Sequence, residues 1–133
     1  NGKGTKFHLP LKRTMKIMKK QKYGKIINIS SVAARIGGIA SSVSYAASKG
    51  GLLSATKSYA KVLGEYNINV YAVCPSVIKT NMTANTNYST VGIPLGRLGE
   101  TEDVAEVIVF LASDASKYIA GQGIDINGGS YMN

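Results

Sequence analysis

Three short β-branched runs, Lys25–Ser30, Asn69–Cys74 and Gly123–Ile126, alternate along the chain with longer segments of helical spacing. This alternation limits the fold more than any other feature. A strand followed by a helix and then another strand re-enters the same sheet in the same direction, through a right-handed crossover. The expected class is therefore α/β, an open parallel sheet of about three strands with flanking helices.

The intervening segments fill in the plan. Asn1 to Gln21 reads as a helix in which Lys12, Arg13, Lys16, Lys19, Lys20 and Lys22 alternate with Met15, Ile17 and Met18, and which Pro10 should break or kink. Val32 to Ser44 is rich in Gly, Ala and Ser and reads as a loop, with a turn at Gly37-Gly38. Tyr45 to Gly64 reads as a second long helix, with Leu52, Ala55, Tyr59, Val62 and Leu63 available for one face. Ser76 to Gly99 has no periodicity and exceeds the usual length of a connection, which predicts a binding loop or lid. Thr101 is expected to cap the last helix, Glu102 and Asp103 suit its positive end, and Val104, Val107, Ile108 and Leu111 form its apolar stripe.

With 133 residues, 44% of them hydrophobic, and with no internal repeat or linker, the chain is expected to form one domain. No stretch approaches eighteen apolar residues and no cleavable leader pattern opens the chain, so a soluble protein without membrane contact is expected. A lone Cys74 makes no internal disulfide and no Cys or His pair has metal-ligand spacing, which fits a cytoplasmic location and no metal site. The formal charge is +9, and thirteen Lys or Arg precede the first acidic residue, Glu65. These cations read as a solvated helix face, because no aromatic residues interleave with them as in base-stacking surfaces, and no nucleic-acid partner is expected. His8, alone on the first helix, is assigned no role, and Cys74, Tyr59, Tyr66 and Tyr71 are read as packing residues.

In open parallel sheets, ligands bind beyond the carboxyl ends of the strands. Ser31 closes the first strand and Pro75-Ser76 the second, while Tyr45 and Lys49 open the helix between them, four residues apart on one face. A phenol is a poor acid or base at neutral pH, but a neighbouring ammonium favours its ionised form. A serine hydroxyl can donate to a carbonyl oxygen as negative charge builds there. Such a set suits carbonyl reduction and its reverse, although a Tyr and Lys at this spacing also occur as an ordinary surface pair.

Five segments in order, Gly24-Lys-Ile-Ile-Asn-Ile-Ser-Ser31, Tyr45-Ala-Ala-Ser-Lys49-Gly-Gly, Ile93-Pro-Leu-Gly-Arg-Leu-Gly99, Phe110-Leu-Ala-Ser-Asp114 and Asn127-Gly-Gly129, resemble the short-chain dehydrogenase/reductase family, in its β-ketoacyl-[acyl-carrier-protein] reductase branch. The resemblance implies a Rossmann-like, doubly wound parallel sheet of which residues 1–133 are the C-terminal catalytic half, with the N-terminal dinucleotide-binding half absent. It implies that Tyr45 exchanges the proton with the substrate, that Lys49 lowers the phenol pKa and holds the nicotinamide ribose, and that Ser31 orients the carbonyl. Asn1, in Asn1-Gly-Lys-Gly4, corresponds to a fourth catalytic member that holds a water in the proton relay. Pro75, Val77, Ile78 and Thr80 match the segment lying along the nicotinamide of an NADP or NAD cofactor, with NADPH favoured.

The implied substrate is a carbonyl compound, foremost a 3-oxoacyl thioester on acyl carrier protein, for which Lys19, Lys20 and Lys22 are docking candidates. The implied assembly is a homo-oligomer, a tetramer when complete. Reductases of small alcohols, acetoin or sugars, and a non-catalytic scaffold chain, are the competing readings. The chain departs from the family in having Ser76 where Pro-Gly is usual, Tyr71 where Asn is usual, a short Thr83–Ile93 loop, and no glycine-rich phosphate-binding turn.

Overall fold

The computed structural model describes residues 8–38 and 41–133. Its elements are α1 (His8–Gln21), β1 (Gly24–Ile29), α2 (Ala33–Ile36), α3 (Val43–Leu63), β2 (Ile68–Pro75), α4 (Thr101–Ala112) and β3 (Gly123–Ile126), with single 3-10 turns at Gly64–Tyr66 and Asp114–Ser116. The strands form one parallel sheet in the order β1-β2-β3. Ile29 pairs with Val73 and Ala72 with Gly123, so the carboxyl ends of the strands share one edge.

The sheet is covered on both faces, as a parallel sheet requires. Successive residues of a strand point to opposite sides, and β2 shows the division clearly. Ile68 and Val70 pack with Ile26 and Leu63 beneath α3 and α1, where Leu11, Met15 and Met18 supply the α1 stripe. Tyr71 and Val73 pack with Leu111, Val107 and Ile124 on the α4 side. From Val70 to Cys74 the strand is fully buried.

Most expected elements are present, with informative differences. Pro10 is the third residue of α1, within the first turn, where no intrahelical partner is required of a backbone N–H, so the helix runs on past it. The Gly/Ala/Ser segment after the first strand contains the short helix α2, held by the Ala34 N–H donating to the Ser31 carbonyl and Arg35 N–H to that of Val32. The cap of α4 is Glu100 rather than Thr101, and the Asp103 carboxylate accepts the Glu100 N–H at 2.7 Å. Two non-glycine residues take left-handed backbone angles, Lys22 ending α1 and Asn67 before β2, and the Asn67 amide donates to the Lys22 carbonyl at 3.2 Å.

Candidate active site

The first turns of α3 are placed by their cap and by the tip of β1. Ser42 is extended and its hydroxyl accepts the Tyr45 N–H at 3.2 Å, so that Tyr45 stands in the first turn. One turn later the Lys49 ammonium donates to the Ile29 carbonyl at 2.8 Å and lies 5.6 Å from the Tyr45 ring centre. Tyr45 is 42% exposed, which leaves its phenol accessible to a substrate. Lys49 spends one of its three N–H donors on β1, and the others remain to meet a phenolate or a hydroxylated ligand.

Ser31 follows directly on the strand tip. Its hydroxyl accepts the Ala33 N–H at 3.2 Å, a local turn that leaves its O–H proton to donate elsewhere. The neighbouring Ser30 is buried, and its hydroxyl donates to the Lys49 carbonyl at 2.9 Å. Pro75 ends β2 and its carbonyl accepts the Val32 N–H at 2.9 Å, so the two strand tips are bonded one residue beyond Ser31. Ser31, Tyr45, Lys49 and Pro75 are thereby drawn to one edge of the sheet. Asn1 lies outside the described residues.

Val77, Ile78 and Thr80 lead away from that edge into the 76–99 segment. Ile78 forms a parallel bridge with Gly99, in which the Lys79 N–H donates to the Gly99 carbonyl at 2.8 Å and Gly99 N–H to that of Val77 at 3.2 Å. The expected loop is thus an excursion closed at its neck, and a Cβ at Gly99 would overlap the Ile78 side chain. Thr83 knots the start of this excursion: its hydroxyl accepts the Thr80 N–H at 2.7 Å and lies 3.0 Å from the Ile78 carbonyl. The hydroxyl of Thr80 remains at the exposed surface. The far end of the loop is seated on the Asn127-Gly-Gly turn, where the Leu95 N–H donates to the Gly128 carbonyl at 3.1 Å. An open groove of about 520 Å³ runs between these pieces, lined by Ser76, Leu95, Arg97, Asp125, Asn127 and Met132.

Several groups that shape this edge carry no local sequence signal. Arg97 makes a two-pronged ion pair with Asp103, at 2.6 and 2.9 Å, fastening the loop to the start of α4. Hydrogen bonds from Arg97, and then from the Glu100 backbone, hold the Asp103 carboxyl well below the ordinary carboxylate range. Arg35 reaches from α2 across the sheet to Asp125 at 3.1 Å and the Gly123 carbonyl at 2.9 Å. Burial alone would lower its pKa, but the bond to and charge of Asp125 outweigh this and leave it raised. Cys74 is fully buried and burial pushes its thiol up, which suits a packing residue and not a nucleophile. Tyr71 points to the α4 side, and its hydroxyl meets the Ser116 hydroxyl at 2.8 Å and the Lys25 ammonium at 3.1 Å, so it is anchored away from the strand tips. Among the described residues no group of three or more His, Cys, Asp or Glu side chains can hold a metal ion, and no helix is long and apolar enough to cross a membrane.

The profile of the family described as enoyl-(acyl carrier protein) reductase matches residues 5–131. The chain is similar to the 3-oxoacyl-[acyl-carrier-protein] reductase FabG of Thermotoga maritima, 48% identical over 117 residues that make up 84% of this chain and 47% of that protein. It is also similar to the (3R)-3-hydroxyacyl-CoA dehydrogenase of Homo sapiens, 41% identical over 114 residues, 82% of this chain and 43% of that protein. The crystal structure of 3-oxoacyl-[acyl-carrier protein] reductase from Brucella melitensis superposes with a TM-score of 0.89 at 33% identity, covering 93% of this chain and 48% of that one. The chain spans about half the length of these relatives.

Proposed function

The chain belongs to the short-chain dehydrogenase/reductase family, and from that membership we propose that it forms the catalytic half of a nicotinamide-dependent oxidoreductase that reduces a 3-oxoacyl thioester on acyl carrier protein to the hydroxy compound. The observation that carries this reading is the placement of the Lys49 ammonium, held by the Ile29 carbonyl at 2.8 Å and standing 5.6 Å from the Tyr45 ring. With the cation fixed beside it, the accessible Tyr45 phenol is placed to release its proton to a carbonyl oxygen and to recover it in the reverse reaction. Ser31, at the strand tip, donates a hydrogen bond to the same oxygen as negative charge gathers on it.

The residues fit the nicotinamide end of an NADP or NAD cofactor, with NADPH favoured. Lys49 has donors to spare for ribose hydroxyls. Pro75, Val77 and Ile78 lead off the strand edge, and the Thr80 hydroxyl is exposed beyond them. When bound, the nicotinamide supplies the hydride. No glycine-rich phosphate-binding turn occurs in the 133 residues, so these residues account for the nicotinamide end alone. The named activities of the relatives support the acyl-thioester substrate, and the similarity to a 3-hydroxyacyl-CoA dehydrogenase supports operation in the oxidising direction as well. Lys20 and Lys22, exposed at the end of α1, are the docking candidates for the acidic carrier, while Lys19 sits 4.6 Å above the Tyr66 ring.

The test is Tyr45→Phe in the source protein that carries this sequence, assayed with NADPH and acetoacetyl-CoA. Turnover is expected to fall by roughly 100-fold or more with cofactor affinity nearly unchanged. Turnover equal to that of the parent removes Tyr45 from its role and the reading with it.

A further inference from the structure

We infer that Asn28, Ser30 and Thr56 are positioning residues, a two-rung polar ladder between β1 and α3 that sets the height at which Tyr45 and Lys49 stand beside Ser31. The inference rests on the proposed reductase reading.

The ladder has one rung at each of two levels. Ser30 donates through its hydroxyl to the Lys49 carbonyl at 2.9 Å. The Asn28 amide donates to the Thr56 hydroxyl at 2.9 Å, and that hydroxyl donates onward to the Leu52 carbonyl at 2.8 Å. Asn28 and Ser30 lie two residues apart on the same face of β1, while Lys49 and Thr56 lie seven residues, or about two turns, apart on α3. Both rungs are sheltered, Ser30 being 4% and Thr56 1% exposed.

Apolar packing alone would not fix this height. It is non-directional, and the part of β2 under this stretch of α3 presents only the small side chains of Ala72 and Cys74, both fully buried. The apolar anchor of α3, Leu63 against Ile26, Ile68 and Val70, lies at the far end of the helix, so a shift of the end that carries Tyr45 and Lys49, by up to a turn of about 5.4 Å, meets little apolar resistance locally. Such a slip would carry Tyr45 away from the strand tip. It would also leave the Asn28 amide and the Ser30 hydroxyl without partners in a sheltered setting, which buried polar groups do not tolerate, and the Thr56 hydroxyl with only its intrahelical bond to Leu52. Two rungs at different heights resist both sliding and rotation, whereas one would resist sliding alone. The Lys49 ammonium bond to the Ile29 carbonyl is made at the same level as the upper rung, so the cation is placed by the register and not by its flexible stem alone.

The test uses Thr56→Val, which keeps the shape and removes the hydroxyl, and Thr56→Ser, which keeps the hydroxyl, both in the source protein. Reduction of acetoacetyl-CoA by NADPH gives kcat and KM, and oxidation of 3-hydroxybutyryl-CoA with NADP+ across pH reports the phenol. Thr56→Val is expected to lower kcat by about 10- to 100-fold with the KM for NADPH held, since small misplacements are costly. The pH profile of oxidation is expected to differ from that of the parent, as the ammonium loses its place beside the phenol. Thr56→Ser is expected to restore both. A parental pH profile in Thr56→Val, or equal losses in the Val and Ser variants, overturns the inference. Should Thr56→Val fail to fold, Ser30→Ala removes the other rung and is read in the same way. An inactive Tyr45→Phe beside an unaffected Thr56→Val would sink the ladder alone, whereas an active Tyr45→Phe would sink the reductase reading itself.

Discussion

Lys25 and Tyr71 show how one residue's role depends on its neighbours. The Lys25 ammonium, partly buried, is shared among Asn69 Oδ1 at 3.0 Å, the Tyr71 hydroxyl at 3.1 Å and Ser116 Oγ at 3.3 Å, neutral oxygens that match its three donors. Tyr71→Phe removes the hydroxyl from the centre of this cluster and is expected to cost about 1–3 kcal/mol, read as a lowered midpoint in urea unfolding. An unchanged midpoint would mean that the cluster contributes nothing net. Asp103 carries a pH prediction. Its carboxyl is held below the ordinary range by Arg97, so the pair stabilises the fold fully above about pH 4 and loses that contribution as pH falls through the folded-state value. The pair is exposed and solvent-screened, so the effect is small. Asp103→Asn should therefore flatten the acid limb of a melting-temperature profile below about pH 4, and an unaltered limb would count against the pairing. Tyr45 with Lys49 was legible in the sequence because four residues on a helix are neighbours by geometry. Asn28 with Thr56, and Arg35 with Asp125, were not, because each pair meets only once the order and register of the strands are known.

At the level of elements, the β-branched runs announced all three strands; the structure moves the first back by one residue, lengthens the second by one residue at each end and keeps the third as expected. Helix α2 escaped notice because four residues of Ala, Arg and Ile hold no period, and its turn is closed by backbone carbonyls at the strand tip. Glu100 escaped as a cap because the residue that completes the arrangement, Asp103, acts backwards along the chain. The loop between β2 and α4 depends on the Gly128-Gly129 turn, where φ is +61° and +87° and a Cβ would stand 2.8 Å from Ile93 Cγ2 and 3.0 Å from Pro94 Cγ. Gly128→Ala combines the left-handed penalty of roughly 1–2 kcal/mol with that crowding. It is expected to lower the melting temperature and to speed amide exchange at Leu95 and Gly96. Wild-type exchange at those amides would show that the turn does not hold the loop.

For the whole molecule, the charge asymmetry and the sheet edge are linked. The basic helix α1 and strand β1 lie at one side of the sheet, and among the described residues the outer edge of β1 pairs with no strand. An open parallel edge flanked by Ile29, 48% exposed, invites association. The 133 residues expressed by themselves are expected to self-associate in a concentration-dependent way, followed by sedimentation velocity, and a monomer at every concentration would contradict this. The Ile78–Gly99 bridge bears on how such a protein can diversify. Because the chain leaves and returns through one closed neck and its later part is seated on the Gly128-Gly129 turn, the stretch before that seat is held at its ends, and doubling its length adds only about 0.6 kcal/mol of closure entropy. Insertions there can redraw what the protein accommodates while the proton-handling groups on β1 and α3 stay where they are.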